Sequence, residues 1–195
     1  MSKAEQTRLM ILQKAFGLIY EKGYQATSID HIIGTVQVTK GAFFYHFKNK
    51  EEMGITLIRE LMRTGFREVF TKYLGRSDDP ANDIYLMMEY LLLQDPLLDV
   101  RFGCPAVNLI EEMAPLNDTF NKELMVNILE WQKQIIAIIE KGKSSGKIRQ
   151  EVNPENVAYF ITSGYAGVRN MGKLFGKNCY IIHLEELKKY LNNLR

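Results

Sequence analysis

The sequence predicts an all-α protein of about nine helices, with a three-helix segment over residues 1–50 and a longer helical bundle over residues 51–195. Three observations predict this fold class. Apolar residues recur at helical spacing along most of the chain, and no stretch of useful length alternates with the period of a strand. Capping residues, glycines and prolines interrupt the pattern where helices are expected to start and stop.

The first two helices are predicted over residues 4–22 and 28–36. Apolar residues at helical spacing share one face of the first helix, and Gly23 ends it. Thr27 stands three residues before an aspartate, so it is expected to cap the second helix. The second helix then carries an apolar stripe of isoleucines and a valine.

Thr39 is expected to cap a third helix over residues 40–47, and Asn49 a fourth that runs to about Tyr73. Two short helices separated by about three residues have the dimensions of a helix-turn-helix. The sequence therefore predicts that motif within the first fifty residues.

The rings of the third helix are expected to serve two purposes. Phe43 and Phe47 are four residues apart, share one face and are predicted to pack on the preceding helices. Tyr45 then faces outward, with Phe44 and His46 at the margins of that outer face.

The second half of the chain continues the helical pattern after a polar loop over residues 75–80. An asparagine–proline pair at residues 153 and 154 is a strong helix start, and residues 141–147 read as a flexible link. The further helices are predicted over residues 81–94, 104–113, 118–142, 154–175 and 179–194.

Composition excludes several classes of protein. No apolar run approaches the roughly 18 residues of a membrane span, and the N-terminus has no secretory apolar segment. Cys104 and Cys179 have no ligand-like spacing, and the three histidines are scattered, so neither a metal nor a cofactor is expected. No catalytic set of residues is found. The expected location is the cytoplasm.

The charge is distributed unevenly along the chain. Residues 1–50 hold seven basic and three acidic side chains, which gives +4, and the whole-chain value of +2 leaves −2 for the remainder. A basic segment on a mildly acidic remainder favours a polyanionic partner at one end.

The outer face of the third helix suits the major groove of double-stranded DNA. Gly41 allows close approach of the backbone, Ala42 can touch a thymine methyl group, and Tyr45 can contact a phosphate or a base edge. The residues expected at DNA are Ser28, Thr39, Lys40, Gly41, Ala42, Phe44, Tyr45, His46, Lys48 and Lys50.

Residues 27–53, TSIDHIIGTVQVTKGAFFYHFKNKEEM, resemble the DNA-binding region of the tetracycline-repressor-like (TetR) family. The positions that match the family pattern are Thr39, Gly41, Phe43, His46, Phe47, Lys50 and Glu51. Two positions depart from it: Gln37 replaces the usual turn glycine, and Phe44 replaces a tyrosine that usually contacts phosphate. The resemblance covers about the first 55 residues and implies a transcriptional regulator.

The resemblance also implies that the remaining helices enclose an inducer pocket and form a homodimer through the last two helices. The candidate pocket residues are Met62, Phe66, Met87, Tyr90, Asn108, Glu112, Trp131, Tyr165 and Arg169. The candidate dimer residues are Gly164, Gly167, Val168, Leu184, Leu187 and Leu191. Apolar residues of this kind are also typical of an ordinary core or of an intramolecular helix pair.

The sequence therefore predicts a homodimeric, ligand-responsive repressor that binds a near-palindromic operator. Two alternatives stay open, which are a helical small-molecule-binding protein and a protein-interaction adaptor, both without DNA binding. Cys104 could serve as a sensor thiol, although a free cysteine is more often a small buried apolar residue.

Overall fold

The computed structural model describes residues 2–195, and within them it contains nine helices and no strand, which confirms the predicted fold class. The single-segment helices are α1 Lys3–Lys22, α2 Ile29–Val36, α3 Lys40–His46, α6 Pro105–Met113, α7 Asp118–Ser144, α8 Pro154–Phe175 and α9 Asn178–Asn192. Two helices contain a wider π-helical turn. Helix α4 consists of Lys50–Leu57, the π-helical turn Ile58–Met62 and Arg63–Tyr73. Helix α5 consists of Pro80–Glu89 and the π-helical turn Tyr90–Gln94.

The helix starts follow the capping residues of the sequence, with one correction. Ser28, and not Thr27, caps α2, because its hydroxyl accepts a hydrogen bond from the backbone N–H of His31 at 3.1 Å. Thr27 is fully buried, and its hydroxyl donates to the carbonyl of Gly23 at 2.7 Å. The predicted caps Thr39 and Asn49 begin α3 and α4 as expected.

The chain forms two compact units. The first consists of the chain up to Thr64 together with Pro105–Met125, and the second of Gly65–Cys104 together with Val126–Arg195. The first turns of α4, together with α6, thus pack with the helix-turn-helix. The predicted functional division after residue 50 remains a proposal.

The first unit is built around α1, which contacts α2, α3, α4 and α6. Its buried side chains include Leu12 and Ile19, and α2 adds Ile32. Phe43 and Phe47 are also buried here, as their four-residue spacing predicts. The helix-turn-helix is therefore fixed to α1 by a continuous apolar core.

The second unit contains α9, which packs against α5 and α8. Leu184, Leu187 and Leu191 are buried in these contacts within the chain. Their predicted place in a dimer interface is therefore wrong, because the stripe that they form is already covered by the chain's own helices. Val168 is likewise buried, whereas Gly164 is half-buried and Gly167 is exposed.

No helix within residues 2–195 is long and apolar enough to cross a membrane.

Candidate nucleic-acid interface and ligand site

The outer face of α3 is free of other helices within the first unit. The side chain of Tyr45 is 78% exposed and that of Phe44 is 44% exposed. Lys40 and Gly41 are exposed beside them, and Ala42 is half-buried. The ring division expected from the sequence is therefore confirmed, with two rings in the core and one directed outward.

Aromatic contacts hold this face in place. Phe43 packs on Phe47 with 5.7 Å between ring centroids and meets Phe44 edge-on at 5.4 Å. The ring of His46 meets Tyr45 edge-on at 4.9 Å and is half-buried. The rings of Phe44 and His46 thus pack at the margins of this face, and His46 limits the side-chain conformations open to Tyr45.

The turn between α2 and α3 passes through a left-handed backbone conformation at Gln37, with φ 58° and ψ 41°. Gln37 is the one non-glycine residue with positive φ among residues 2–195. A left-handed conformation costs an L-residue about 1–2 kcal/mol. The turn therefore has the geometry that a glycine would supply, at the expense of backbone strain.

Two of the predicted phosphate contacts are exposed, as DNA binding requires. Lys40 lies 3.5 Å from a carboxylate oxygen of Asp30, and both side chains are largely in water. Lys48 is also exposed. An exposed pair of this kind is weak and leaves the lysine available for a phosphate.

Lys50, a third predicted phosphate contact, is half-buried and contacts the chain itself. Its ammonium group lies 3.4 Å from the carbonyl oxygen of Gln25 and 4.2 Å from the centroid of the Tyr24 ring. Burial lowers the pKa of Lys50, and the charge of Glu112 partly opposes that shift. The side chain thus contacts the loop between α1 and α2, and its contact with phosphate stays a prediction. Ser28 and Thr39 both serve as helix caps at the margin of the outer face.

Glu112 also differs from its prediction as a ligand group. Its carboxylate accepts hydrogen bonds from the backbone N–H groups of Tyr24 and Gln25, at 2.8 and 2.7 Å. The side chain is therefore engaged by the loop between α1 and α2. Asn108 and Met62 likewise belong to the first compact unit, whereas the other pocket candidates belong to the second.

The remaining pocket candidates lie in the second unit, where an aromatic cluster surrounds Trp131. Phe66 and Phe70 stack on its ring at 6.3 and 6.0 Å, and Tyr165 meets it edge-on at 5.1 Å. The indole N–H of Trp131 is buried and has no hydrogen-bond partner among the described residues. An unpaired buried donor of this kind is rare, and either a water or a ligand acceptor would satisfy it.

Arg169 is buried beside this cluster, and no carboxylate within residues 2–195 pairs with it. Its guanidinium donates to the hydroxyls of Tyr165 and Tyr180, both at 3.3 Å, and to the carbonyl of Leu91 near the end of α5. Burial lowers the pKa of Arg169, but the interactions with Tyr165 and Tyr180 outweigh it and raise the pKa above its usual value. A buried cation of this kind is suited to a ligand with a negative group.

Three further candidates, two for the pocket and Cys104 for the sensor thiol, also lie in the second unit. Met87 is fully buried, and Tyr90 is half-buried with the ammonium group of Lys72 at 4.6 Å from its ring. Cys104 is buried against Tyr165. Burial raises the pKa of the Tyr165 hydroxyl well above its usual value, and the Cys104 thiol acts in the same direction.

An exposed apolar face on the last two helices was missed by the sequence reasoning. Its large exposed residues are Tyr159, Phe160, Met171, Leu174 and Phe175 on α8, and Ile181 and Ile182 on α9. Gly167 lies exposed between them and leaves open space where a side chain would stand. The residues from Phe160 to Leu174 recur at helical spacing, so a second apolar stripe could have been found by that signal.

Comparison with known proteins identifies both parts of the chain. Residues 11–54 match the family described as bacterial regulatory proteins, tetR family, and residues 89–186 match the tetracyclin repressor-like C-terminal domain.

An HTH-type transcriptional regulator from the lacX 3′ region of Lactococcus lactis subsp. lactis is 30% identical over 129 residues, which is 66% of each chain. The HTH-type transcriptional repressor DhaR of Mycobacterium sp. (strain GP1) is 26% identical over 160 residues, covering 82% of this chain and 79% of the repressor. A crystal structure of a TetR-family transcriptional regulator from Cytophaga hutchinsonii superposes with a TM-score of 0.88 at 21% identity, covering 100% of this chain and 98% of that one. This last similarity concerns the fold.

Proposed function

Because the chain belongs to the TetR family of bacterial regulatory proteins, we propose that it acts as a homodimeric repressor that a small molecule releases from a near-palindromic operator. The chain is a DNA-binding transcriptional regulator and not an enzyme. The observation that carries the proposal is the outer face of α3, where Tyr45 is exposed while Phe43 and Phe47 are buried beneath it. As a regulator of bacterial genes it would act in the cytoplasm.

We assign α3 to the major groove of the operator. Ala42 and Tyr45 would read base edges or the methyl group of thymine, and Gly41 would let the backbone approach. Lys40 and Lys48 would bind phosphates and supply affinity that does not depend on sequence. Phe44 has no hydroxyl, so its neighbour Tyr45 is proposed to provide that contact.

We propose that the exposed apolar face of α8 and α9 is the homodimer interface. Apolar side chains of this size in one contiguous patch are typical of protein contacts. A second copy would cover them by an isologous contact, in which the same patch serves both chains. Two recognition helices would then read half-sites about 34–36 Å apart.

We propose that the inducer binds in the second unit beside Trp131, Tyr165 and Arg169. The unpaired indole N–H and the buried guanidinium together favour a ligand that carries an acceptor or a carboxylate next to an apolar body. Release of DNA requires the ligand to prefer the conformer that does not fit the operator, by about 1–3 kcal/mol in typical couplings. The Mycobacterium relative is a repressor, which supports repression over activation here.

The test begins with selection of bound duplexes from a random pool, followed by a salt titration of the selected duplex. A selected sequence with two related half-sites, bound by a dimer, would support the proposal. Binding that is independent of both sequence and salt would contradict it. Trp131 is the single tryptophan, so its fluorescence reports ligand binding directly when small carboxylates are added.

The dimer interface has its own test in sedimentation. Leu174 is 75% exposed on the apolar face, and Leu116 is 66% exposed in the first compact unit, between α6 and α7. Leu174→Asp is expected to give monomers at micromolar concentration, whereas Leu116→Asp should leave the dimer intact. Dimers that persist in Leu174→Asp would place the interface elsewhere.

A further inference from the structure

We propose that Glu112 is a positioning residue for operator binding, through a clamp in which its carboxylate holds the loop between α1 and α2. The proposal rests on the DNA-binding function of the helix-turn-helix. Glu112 lies at the end of α6, and its partners Tyr24 and Gln25 precede Ser28, the cap of α2, by only a few residues. All these residues belong to the first compact unit.

Both oxygens of the Glu112 carboxylate take part in the contact with the loop. One carboxylate oxygen accepts from the N–H of Tyr24 at 2.8 Å, and the other from the N–H of Gln25 at 2.7 Å. Both donors follow the end of α1, where Gly23 makes the last helical hydrogen bond to Ile19. Hydrogen bonds to a charged acceptor are about twice as strong as neutral ones, and two from adjacent amides fix an orientation as well as a distance.

The loop is shaped to receive this carboxylate. Gly23 has φ 91°, a conformation that L-residues rarely adopt. A Cβ atom at Gly23 would stand 3.3 Å from a carboxylate oxygen of Glu112, closer than most such contacts. Glycine at this position therefore provides both the turn and the approach.

The rest of the loop is held from other sides. The Tyr24 ring meets Phe120 edge-on at 4.8 Å, and a side chain at Gly54 would overlap both rings, at 2.7 and 2.8 Å. Lys50 covers the other part of the Tyr24 ring. Helices α4, α6 and α7 thus meet at one short loop, so the direction in which α2 and α3 leave α1 is set there.

Because Glu112 is charged, a positioning role and an electrostatic role predict opposite changes in duplex affinity when the side chain is removed. Removal of a carboxylate near a DNA-binding surface should by itself strengthen binding to any duplex, because it reduces repulsion of phosphates. Loss of the clamp has the opposite sign, since a loop that is free to move presents α3 in several orientations. Weaker binding to the operator alone therefore indicates positioning.

The experiment compares Glu112→Ala and Glu112→Gln with Glu111→Ala, which removes the same charge from the neighbouring position of the same helix. Affinity is measured for the selected operator duplex and for a random duplex of equal length. We expect Glu112→Ala to lose at least about fivefold in operator affinity, the lower end of typical couplings, with an unchanged salt slope. Glu112→Gln, which keeps one acceptor, should lie between Glu112→Ala and the unmodified chain. Glu111→Ala should bind both duplexes at least as tightly as the unmodified chain does, because it loses the charge and keeps the clamp.

A second variant and two further measurements distinguish loss of the clamp from loss of folding. Gly23→Ala disturbs the same clamp without a change of charge and should weaken operator binding in the same direction. Amide hydrogen exchange at Tyr24 and Gln25 should accelerate in both Glu112→Ala and Gly23→Ala, while far-UV circular dichroism stays the same. Slow exchange at both amides in Glu112→Ala would overturn the proposal.

The outcomes separate the clamp from the function on which it rests. If the unmodified chain binds no duplex, the DNA-binding function fails and the proposal fails with it. If the unmodified chain binds its operator and Glu112→Ala binds equally well, or more tightly to both duplexes, only the clamp is overturned.

Discussion

The ammonium group of Lys50 lies 4.2 Å from the centroid of the Tyr24 ring, within the first compact unit. Lys40, ten residues earlier, extends into water and meets only the exposed carboxylate of Asp30, at 3.5 Å. Both lysines were expected at phosphates, but the structure gives them different surroundings. Lys50 contacts the loop after α1, whereas Lys40 is exposed to solvent.

Replacement of the two lysines should therefore have different effects. Lys40→Ala is expected to weaken binding to all duplexes and to reduce the salt slope by about one. Lys50→Ala should change the slope less and should lower the free energy of unfolding by about 0.5–1 kcal/mol, through loss of its contact with the Tyr24 ring. Salt titrations together with denaturant unfolding measure both effects. Equal slopes for the two variants would contradict the assignment.

Tyr45 lies on the outer face of α3 and Phe47, which follows its last residue, is buried, so the two should respond differently to truncation. Phe47→Ala is expected to lower the free energy of unfolding by about 3–5 kcal/mol and to unfold the helix-turn-helix, because the ring is buried. Tyr45→Ala should leave thermal stability unchanged and alter the preferred duplex sequence. Thermal unfolding and duplex selection check the pair, and a tolerated Phe47→Ala would refute the buried face.

The left-handed turn at Gln37 predicts a stabilising substitution. Gln37→Gly removes about 1–2 kcal/mol of backbone strain and adds about 0.5–1 kcal/mol of unfolded-state entropy. We expect a net gain of up to about 1.5 kcal/mol, and each 1 kcal/mol of gain raises Tm by about 2–4 °C. Gln37→Ala keeps the strain and serves as the control. A gain in Gln37→Ala equal to that in Gln37→Gly would show that strain is not the cause.

Protonation of Glu123 is expected to make the stability of the first unit depend on pH. Arg59 donates to its carboxylate at 2.5 Å and Arg63 at 2.9 Å. The hydrogen bond from Arg59 lowers the pKa of Glu123 below its usual value of 4.5, against the effect of burial and with help from Arg63. Because the pKa is lowered in the folded state, this carboxylate stabilises the fold at pH above about 4.5, and the contribution is lost as the pH falls through the folded pKa.

The test compares Glu123→Gln with the unmodified chain at several pH values. The variant should be less stable at pH 7, and its stability should fall less between about pH 5 and pH 3. Glu140→Gln, at an exposed position of the same helix, should follow the unmodified curve. Parallel curves for Glu123→Gln and the unmodified chain would show that the pair with Arg59 and Arg63 does not contribute.

Local signals predicted most of the fold. The N-caps at Thr39 and Asn49 and the glycine after α1 set helix ends to within one or two residues, because capping and backbone conformation depend on neighbours in the sequence. The four-residue spacing of Phe43 and Phe47 was enough to orient α3. These features need no knowledge of the rest of the chain.

Features that depend on distant partners could not be predicted. Glu112 binds amides that are 88 and 87 residues away in the sequence, so its surroundings have no local signature. Leu184, Leu187 and Leu191 form an apolar stripe that suits a partner chain or the chain's own helices equally well, and only the packing of α9 on α5 and α8 decides between them. The π-helical turns likewise occur inside segments that the sequence predicts as continuous helices.

The burial of the α9 leucines within one chain affects when the second unit can fold relative to dimerisation. A newly synthesised copy can complete the hydrophobic core of its second unit alone, without waiting for another copy to reach sufficient concentration. Association with a second copy would then add to a stability that the single chain already has, and this addition would grow with the number of copies in the cell. Occupancy of DNA would depend on that same number.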